Sequence, residues 1–214
     1  MNSGSQHAKQ WTYDWQQQLA QRLLPVDFEP EANDKQQAAV LVLLRHQTEP
    51  CLLLTERSSN LAQHPGQVSF VGGKHDAQDP SLLATAKREA YEEIGLPCQQ
   101  LQLLGQLRPQ PSRHGLQVSA FVASCGQFNP QLNSAEVNSL FELPLRRLHA
   151  EHLSHWDQIQ AGNARCYLPH YGYGRYQIWG LTALFLVELL AHLDLARINI
   201  KHKPSSGEIR IPVR

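Results

Sequence analysis

Hydrophobic positions change their period several times along the chain. In WTYDWQQQLAQRLL, residues 11–24, Trp11, Trp15, Leu19 and Leu23 recur every fourth position, the stripe of an amphipathic helix. A polar connector, PVDFEPEANDKQ, follows. AAVLVLLR (38–45) and CLLLTER (51–57) are nearly unbroken apolar runs, as expected of strands covered on both faces, with a turn at HQTEP between them. QVSFV is a short strand within the loop HPGQVSFVGGK. Asp79 as N-cap and Pro80 at the first helical position then predict a helix over about 80–94. Gly95 is its expected left-handed stop, and Pro97 bars continuation.

Beyond that helix, LQLLGQL (101–107) and LQVSAFVAS (116–124) read as strands. A further strand is predicted near 137–142, with a short helix from Pro144. ARCYLP and YQIW form a closing hairpin, and GLTALFLVELLAHL a final helix. The basic stretch KHKPSSGEIRIPVR is expected to be a loose tail. Strand pairs joined by short turns, without strict alternation with helices, imply an α/β/α sandwich with a mixed sheet between helices. The division expected is a helix and connector over 1–36, one domain over 37–194 and the tail over 195–214.

Composition narrows the functional classes. The 214 residues include 19 basic and 19 acidic side chains, so no global charge excess favours nucleic acid or an anionic membrane. Four cysteines, Cys51, Cys98, Cys125 and Cys166, contain no CxxC pair, which argues against a zinc knuckle. Cys51 and Cys98 border apolar runs and suit small buried thiols. The N-terminal stretch lacks an apolar signal core. The longest apolar run, IWGLTALFLVELLAHL, is interrupted by Glu188 and His192 and is short for a bilayer. The cytoplasm is the simplest compartment. The helix at 11–24 is left to pack either on its own domain or on a second subunit, so a homodimer stays open.

One stretch runs against ordinary helix design. REAYEEIG gathers Glu89, Glu92 and Glu93. At about 100° per residue the three share one arc, where like charges repel. Leu83, Ala86, Ala90 and Ile94 mark a different, apolar face, so the acidic edge is expected to turn outward. Arg88 stands one turn before Glu92 and can hold it by a charge-assisted hydrogen bond. A solvated charged face is the simple explanation. The glycine pair Gly72–Gly73 just ahead of the helix favours a site, because glycine lets backbone approach phosphate or offer a carbonyl to a metal. Mg²⁺ seeks a few carboxylates, water and substrate phosphates, and a bound cation would relieve the repulsion.

GGKHDAQDPSLLATAKREAYEEIGL closely resembles the Nudix hydrolase box, G-x5-E-x7-R-E-U-x-E-E-x-G-U, with U aliphatic. Arg88, Glu89, Glu92, Glu93, Gly95 and Leu96 fall on its positions, and Ala90 serves as a small U. Two departures stand out. The loop from Gly73 to Arg88 is one residue longer, and the early glutamate, which braces that loop, has no counterpart in register; Asp79 is the nearest acid. The stretch LLLTERSSNLAQHPGQVSFVGGKHDAQD further resembles the coenzyme A diphosphatase branch. Leu54, Thr55, Arg57, Leu61, His64, Gly66, Val68 and Phe70 stand in its places, and Val71 replaces a common proline. YQIWGLTA is similar to the same branch.

The resemblance implies metal-dependent hydrolysis of a diphosphate, here coenzyme A to 3′,5′-ADP and 4′-phosphopantetheine, with Mg²⁺ or Mn²⁺ as cofactor. Glu89 and Glu93 are expected as first ligands, Glu92 as shared or on a second ion, and the Gly73 carbonyl as a further ligand. Arg88 is expected to orient a glutamate. Glu136, in SAEVNSLF, is a candidate base or additional ligand, with an ordinary loop glutamate as the alternative. Arg57 is a candidate for an anionic part of the substrate, and Gly72 and Gly73 for phosphate. His64 is open to phosphate bonding or to loop capping; His114 reads as a turn residue. Competing functions are hydrolysis of ADP-ribose, dinucleotides or nucleoside triphosphates, and a Nudix-fold binding module without catalysis.

Overall fold

The structure, a computed structural model, describes residues 15–28, 36–45, 49–113, 115–148, 153–161, 164–195 and 208–210. Trp11 and His114 lie outside them.

The apolar runs become the middle of a seven-stranded mixed sheet. Its strands are β1 (Gln37–Arg45), β2 (Cys51–Arg57), β3 (Val68–Ser69), β4 (Val71–Lys74), β5 (Leu101–Pro111), β6 (Gln117–Cys125) and β7 (Val137–Pro144). β1 lies parallel to β6 along its whole length. On its other side it pairs with β2 only over Leu43–Arg45, and with β4 over Ala38–Leu41. β1 and β2 therefore splay apart, and the β3–β4 segment fills the gap, bonding first to β2 and then to β1. This split places the glycine pair over the middle of the sheet.

Alternate side chains of the central strands feed two cores. Ala38, Val42 and Leu44 of β1 join Val118, Ala120 and Val122 of β6 on one face. Ala39, Leu41 and Leu43 join Phe121 and Ala123 on the other. Period-two alternation between two apolar environments explains why these strands read as unbroken hydrophobic runs. The first core is covered by α1 (Trp15–Ala20) and α3 (Gly180–His192), the second by α2 (Leu82–Ile94). The mixed α+β sandwich inferred from the pattern is present.

The predicted 11–24 helix ends early. Leu24 exchanges backbone hydrogen bonds with Gln106 of β5 at 3.0 and 2.9 Å, and these sheet-type bonds replace a further helical turn before Pro25. Trp15 and Leu19 are buried in the chain's own core. The start of α2 also differs: Ser81, not Asp79, is the N-cap, its hydroxyl accepting from Ala84 N at 3.1 Å. The Asp79 carboxylate is committed elsewhere. Gly95 ends the helix in the left-handed region, φ 68°, as its position predicted.

A second, four-stranded sheet was not anticipated in full. β8 (Leu153–Ala161) pairs with β9 (Ala164–Tyr173), β9 with β10 (Tyr176–Ile178), and β11 (Glu208–Arg210) lies parallel to β8. The expected closing hairpin is β9–β10. β8 carries no clean alternation in LSHWDQIQA and is recruited by its partner. The tail expected to be loose contributes β11. Cys98 is exposed rather than buried. No helix among the described residues is long and apolar enough to cross a membrane.

Candidate active site

The site is assembled where the β3–β4 segment meets α2. Gly72 adopts φ 148°, and a Cβ there would lie 2.3 Å from the Ala39 carbonyl oxygen, so only glycine lets β4 sit this close to β1. In that position the Gly72 N–H donates to Glu93 Oε2 at 3.1 Å. The next residue leaves room for the second acid: a Cβ on Gly73 would stand 2.4 Å from the Glu89 carboxyl carbon. The glycine pair is thus shaped around Glu89 and Glu93.

A third carboxylate arrives from the segment before β7. Asn133 N donates to Glu93 O at 3.0 Å, and Gln131 N to Ile94 O at 3.0 Å, capping carbonyls left open at the end of α2. Ser58 N in turn donates to Glu136 O at 2.8 Å. Held at both ends, this segment presents Glu136, and ligand oxygens of Glu89, Glu93 and Glu136 lie within 4.8 Å of one another.

The acidic edge does not simply face outward, as the helical arc suggested. Glu93 is 2% exposed, among Ala90, Ile94 and the sheet. Burial pushes its carboxyl up to about 8; the Gly72 N–H opposes this, the neighbouring Glu89 charge adds to it, and Arg57 draws it down. Burial also raises Glu89, against the Arg88 hydrogen bond. Glu92 turns away from the cluster and accepts from Arg88 at 2.9 Å.

Arg88 organises the rest. Its Nε and Nη2 donate to the two oxygens of Asp79, each at 3.0 Å, and its Nη1 to Glu89 at 2.9 Å. Asp79 also accepts from the Thr85 hydroxyl at 2.9 Å and from Asp76 N at 3.2 Å. The Arg88 guanidinium accordingly holds the Asp79 carboxyl well below the usual carboxylate range. Asp79 therefore braces the longer loop, the task for which no early glutamate stands in register. Its proximity to the box was the signal in the sequence.

Arg57 lies at the rim, its Nη1 4.0 Å from Glu93 Oε1. Its Nε is buried without a hydrogen-bond partner among the described residues. His64, in the left-handed region at φ 56°, is exposed and bonds through Nδ1 to Gln67 Oε1 at 2.9 Å, within its own loop. That loop closes onto Arg57, whose N–H donates to Gln67 O at 2.9 Å and whose carbonyl accepts from Gly66 N at 3.2 Å. The geometry thus groups Glu89, Glu93, Glu136, Gly72, Gly73 and Arg57; Arg88 supports from outside, Glu92 stands with Arg88, and His64 shapes the loop.

The donor set is hard and anionic. Three carboxylates, one buried deeply enough to hold its proton to about 8, need a cation if all are to be ionised together. The residues fit a divalent ion of the Mg²⁺ or Mn²⁺ kind. A mixed-sheet sandwich with such a glutamate cluster on the helix after a glycine loop is the architecture of a phosphoanhydride hydrolase. Comparison with known proteins makes this specific. The NUDIX domain model matches residues 34–161. "Uncharacterized Nudix hydrolase NudL" of Yersinia enterocolitica is 42% identical over 161 residues, covering 74% of this chain and 82% of that protein. The Photorhabdus laumondii protein of the same name is 38% identical over 168 residues, covering 77% and 88%. A MutT/nudix family protein from Enterococcus faecalis shares the fold, with TM-score 0.54 at 14% identity over 87% of this chain and 71% of that one. The chain belongs to the Nudix hydrolase family, enzymes that cleave diphosphate bonds with the help of divalent metal ions.

Proposed function

We propose that this Nudix hydrolase cleaves the diphosphate of coenzyme A or its derivatives, giving 3′,5′-ADP and 4′-phosphopantetheine. The observation that carries the reading is where the segment 54–70 folds. The residues that resemble the coenzyme A diphosphatase branch, from Leu54 through Arg57 and His64 to Phe70, form β2, the following loop and β3, directly beside the carboxylate cluster. Arg57 then sits at the rim as a cation for a second anionic group of the substrate, beyond the diphosphate itself.

Glu89, Glu93 and Glu136 would hold the metal, with Gly73 beside them and Glu92 available from the helix edge. When bound, the divalent ion neutralises phosphate oxygens and acidifies water. The chain's own contribution is positioning. Gly72 fixes Glu93, Arg88 fixes Glu89 and Glu92, and Asp79 fixes Arg88. Glu136 serves as a further ligand or as the base that takes a proton from water. A substrate panel with product identification, run with Mg²⁺, with Mn²⁺ and with EDTA, tests this. The expected outcome is release of 3′,5′-ADP from coenzyme A that EDTA abolishes. ADP-ribose turned over far faster than coenzyme A would reverse the assignment.

A further inference from the structure

The second sheet contains a cluster that the diphosphatase site does not use. His155 and Asp157 of β8 are two positions apart and share a face; His170 of β9 is directly opposite His155. The Asp157 carboxylate faces both imidazoles: His170 Nε2 lies 2.6 Å from Oδ2, and His155 Nε2 4.0 Å from Oδ1. The two ring centroids lie 3.8 Å apart, with the ring planes tilted by 38°. His155 is 5% exposed and His170 9%. One potential ligand atom from each of the three residues lies within 4.8 Å of the others.

We propose that His155, Asp157 and His170 form a second metal site, selective for a borderline divalent ion such as Zn²⁺ rather than for the hard ion of the carboxylate cluster. Imidazole nitrogens with one carboxylate suit Zn²⁺, Co²⁺ or Ni²⁺, whereas Mg²⁺ and Mn²⁺ prefer oxygen donors. Each neutral imidazole offers one ring lone pair, so two rings and the carboxylate between them can share a single cation. A divalent ion set between the Asp157 carboxylate and the two ring nitrogens engages all three residues at once. Ligands about 2.0–2.2 Å from a common centre require only small movements from the spacing seen. The surroundings would orient the ligands: the Ser154 hydroxyl lies 3.1 Å from His155 Nδ1, leaving Nε2 to face the carboxylate. Trp179, at the start of α3, stacks on His170 with centroids 5.9 Å apart. An ion here would staple β8 to β9 close to the entry of α3.

The test uses the full chain stripped by chelator and then titrated with Zn²⁺ or Co²⁺ in excess Mg²⁺, which keeps the carboxylate cluster occupied. One Zn²⁺ per chain is expected by calorimetry, with a Co²⁺ absorption spectrum of nitrogen ligation. His170→Gln and Asp157→Asn should each weaken Zn²⁺ binding at least ~100-fold, and Ser154→Ala about tenfold. Glu93→Gln should leave it intact. Zn²⁺ should raise the melting temperature of the wild type but not of His170→Gln. Zn²⁺ binding unchanged in His170→Gln, or lost in Glu93→Gln instead, overturns the proposal. So does a wild-type Co²⁺ spectrum of oxygen ligation alone, which decides the matter even where a variant fails to fold.

Discussion

Glu93→Gln separates what the fold prefers from what the chemistry requires. Glu93 is 2% exposed, and its carboxyl rises from an ordinary 4.5 to about 8, chiefly through burial. At about 1.36 kcal/mol for each tenfold change in acidity, the cost of holding it ionised without metal has a ceiling near 5 kcal/mol. The folded carboxyl binds its proton more tightly than the unfolded one. Metal-free wild type should therefore lose stability as pH climbs from about 4.5 to about 8, and level off above that. Glutamine has no proton to lose and keeps an oxygen for the Gly72 N–H. At pH 8.5 in EDTA the variant should be more stable by about 3 kcal/mol, a rise of roughly 6–12 °C in Tm, and the gap should close by pH 4.5. Mg²⁺ should stabilise the wild type more than the variant. Activity should fall at least ~100-fold, since the metal contributes several kcal/mol to the transition state. Thermal melts across pH, with and without Mg²⁺, read both effects. Equal melting at pH 8.5, or a gap that does not vary with pH, would refute the account of Glu93 as a buried acid awaiting a cation.

Other outcomes follow from single contacts. Gly73→Ala places a methyl 2.4 Å from the Glu89 carboxyl carbon; kcat should drop about 10–100-fold and more Mg²⁺ should be needed for half-maximal rate. Asp79→Asn removes the anionic partner that binds Arg88 through two of its nitrogens; steady-state kinetics should show about a tenfold loss, because both Glu89 and Glu92 rely on that guanidinium. Arg57→Ala should raise KM for coenzyme A more than it lowers kcat, and a substrate lacking the 3′-phosphate should feel the change less. Trp15→Ala empties a site that is 3% exposed and should cost about 3–5 kcal/mol in urea unfolding, with the metal requirement unchanged.

Much of the site was legible because it is local. Glu89, Glu92, Glu93 and Arg88 lie within one helical turn and a half, and the glycine pair precedes them within the same motif. Glu136 and Arg57 were only candidates, since nothing in their neighbourhoods states how near they come to the helix. Their placement depends on Asn133 and Gln131 bonding the open end of α2 and on Ser58 bonding Glu136. The arc of acids misled in one respect. A helical wheel gives angles about an axis but not the height of the surrounding surface, and the β4 backbone covers Glu93 while leaving Glu92 in solvent. β8 was missed for a related reason: its mixed polar pattern becomes a strand only beside β9, and with it went any view of His155, Asp157 and His170 as one group.

The sequence by itself determined the apolar strands, the glycine-stopped helix and the crowded carboxylates, because periodicity and short-range chemistry are written in adjacent residues. Only the tertiary structure decided which acid is buried, that Asp79 anchors Arg88 and which distant residues join them. Burial, dielectric and the meeting of separate strands arise when the sheet closes, and no local pattern encodes them.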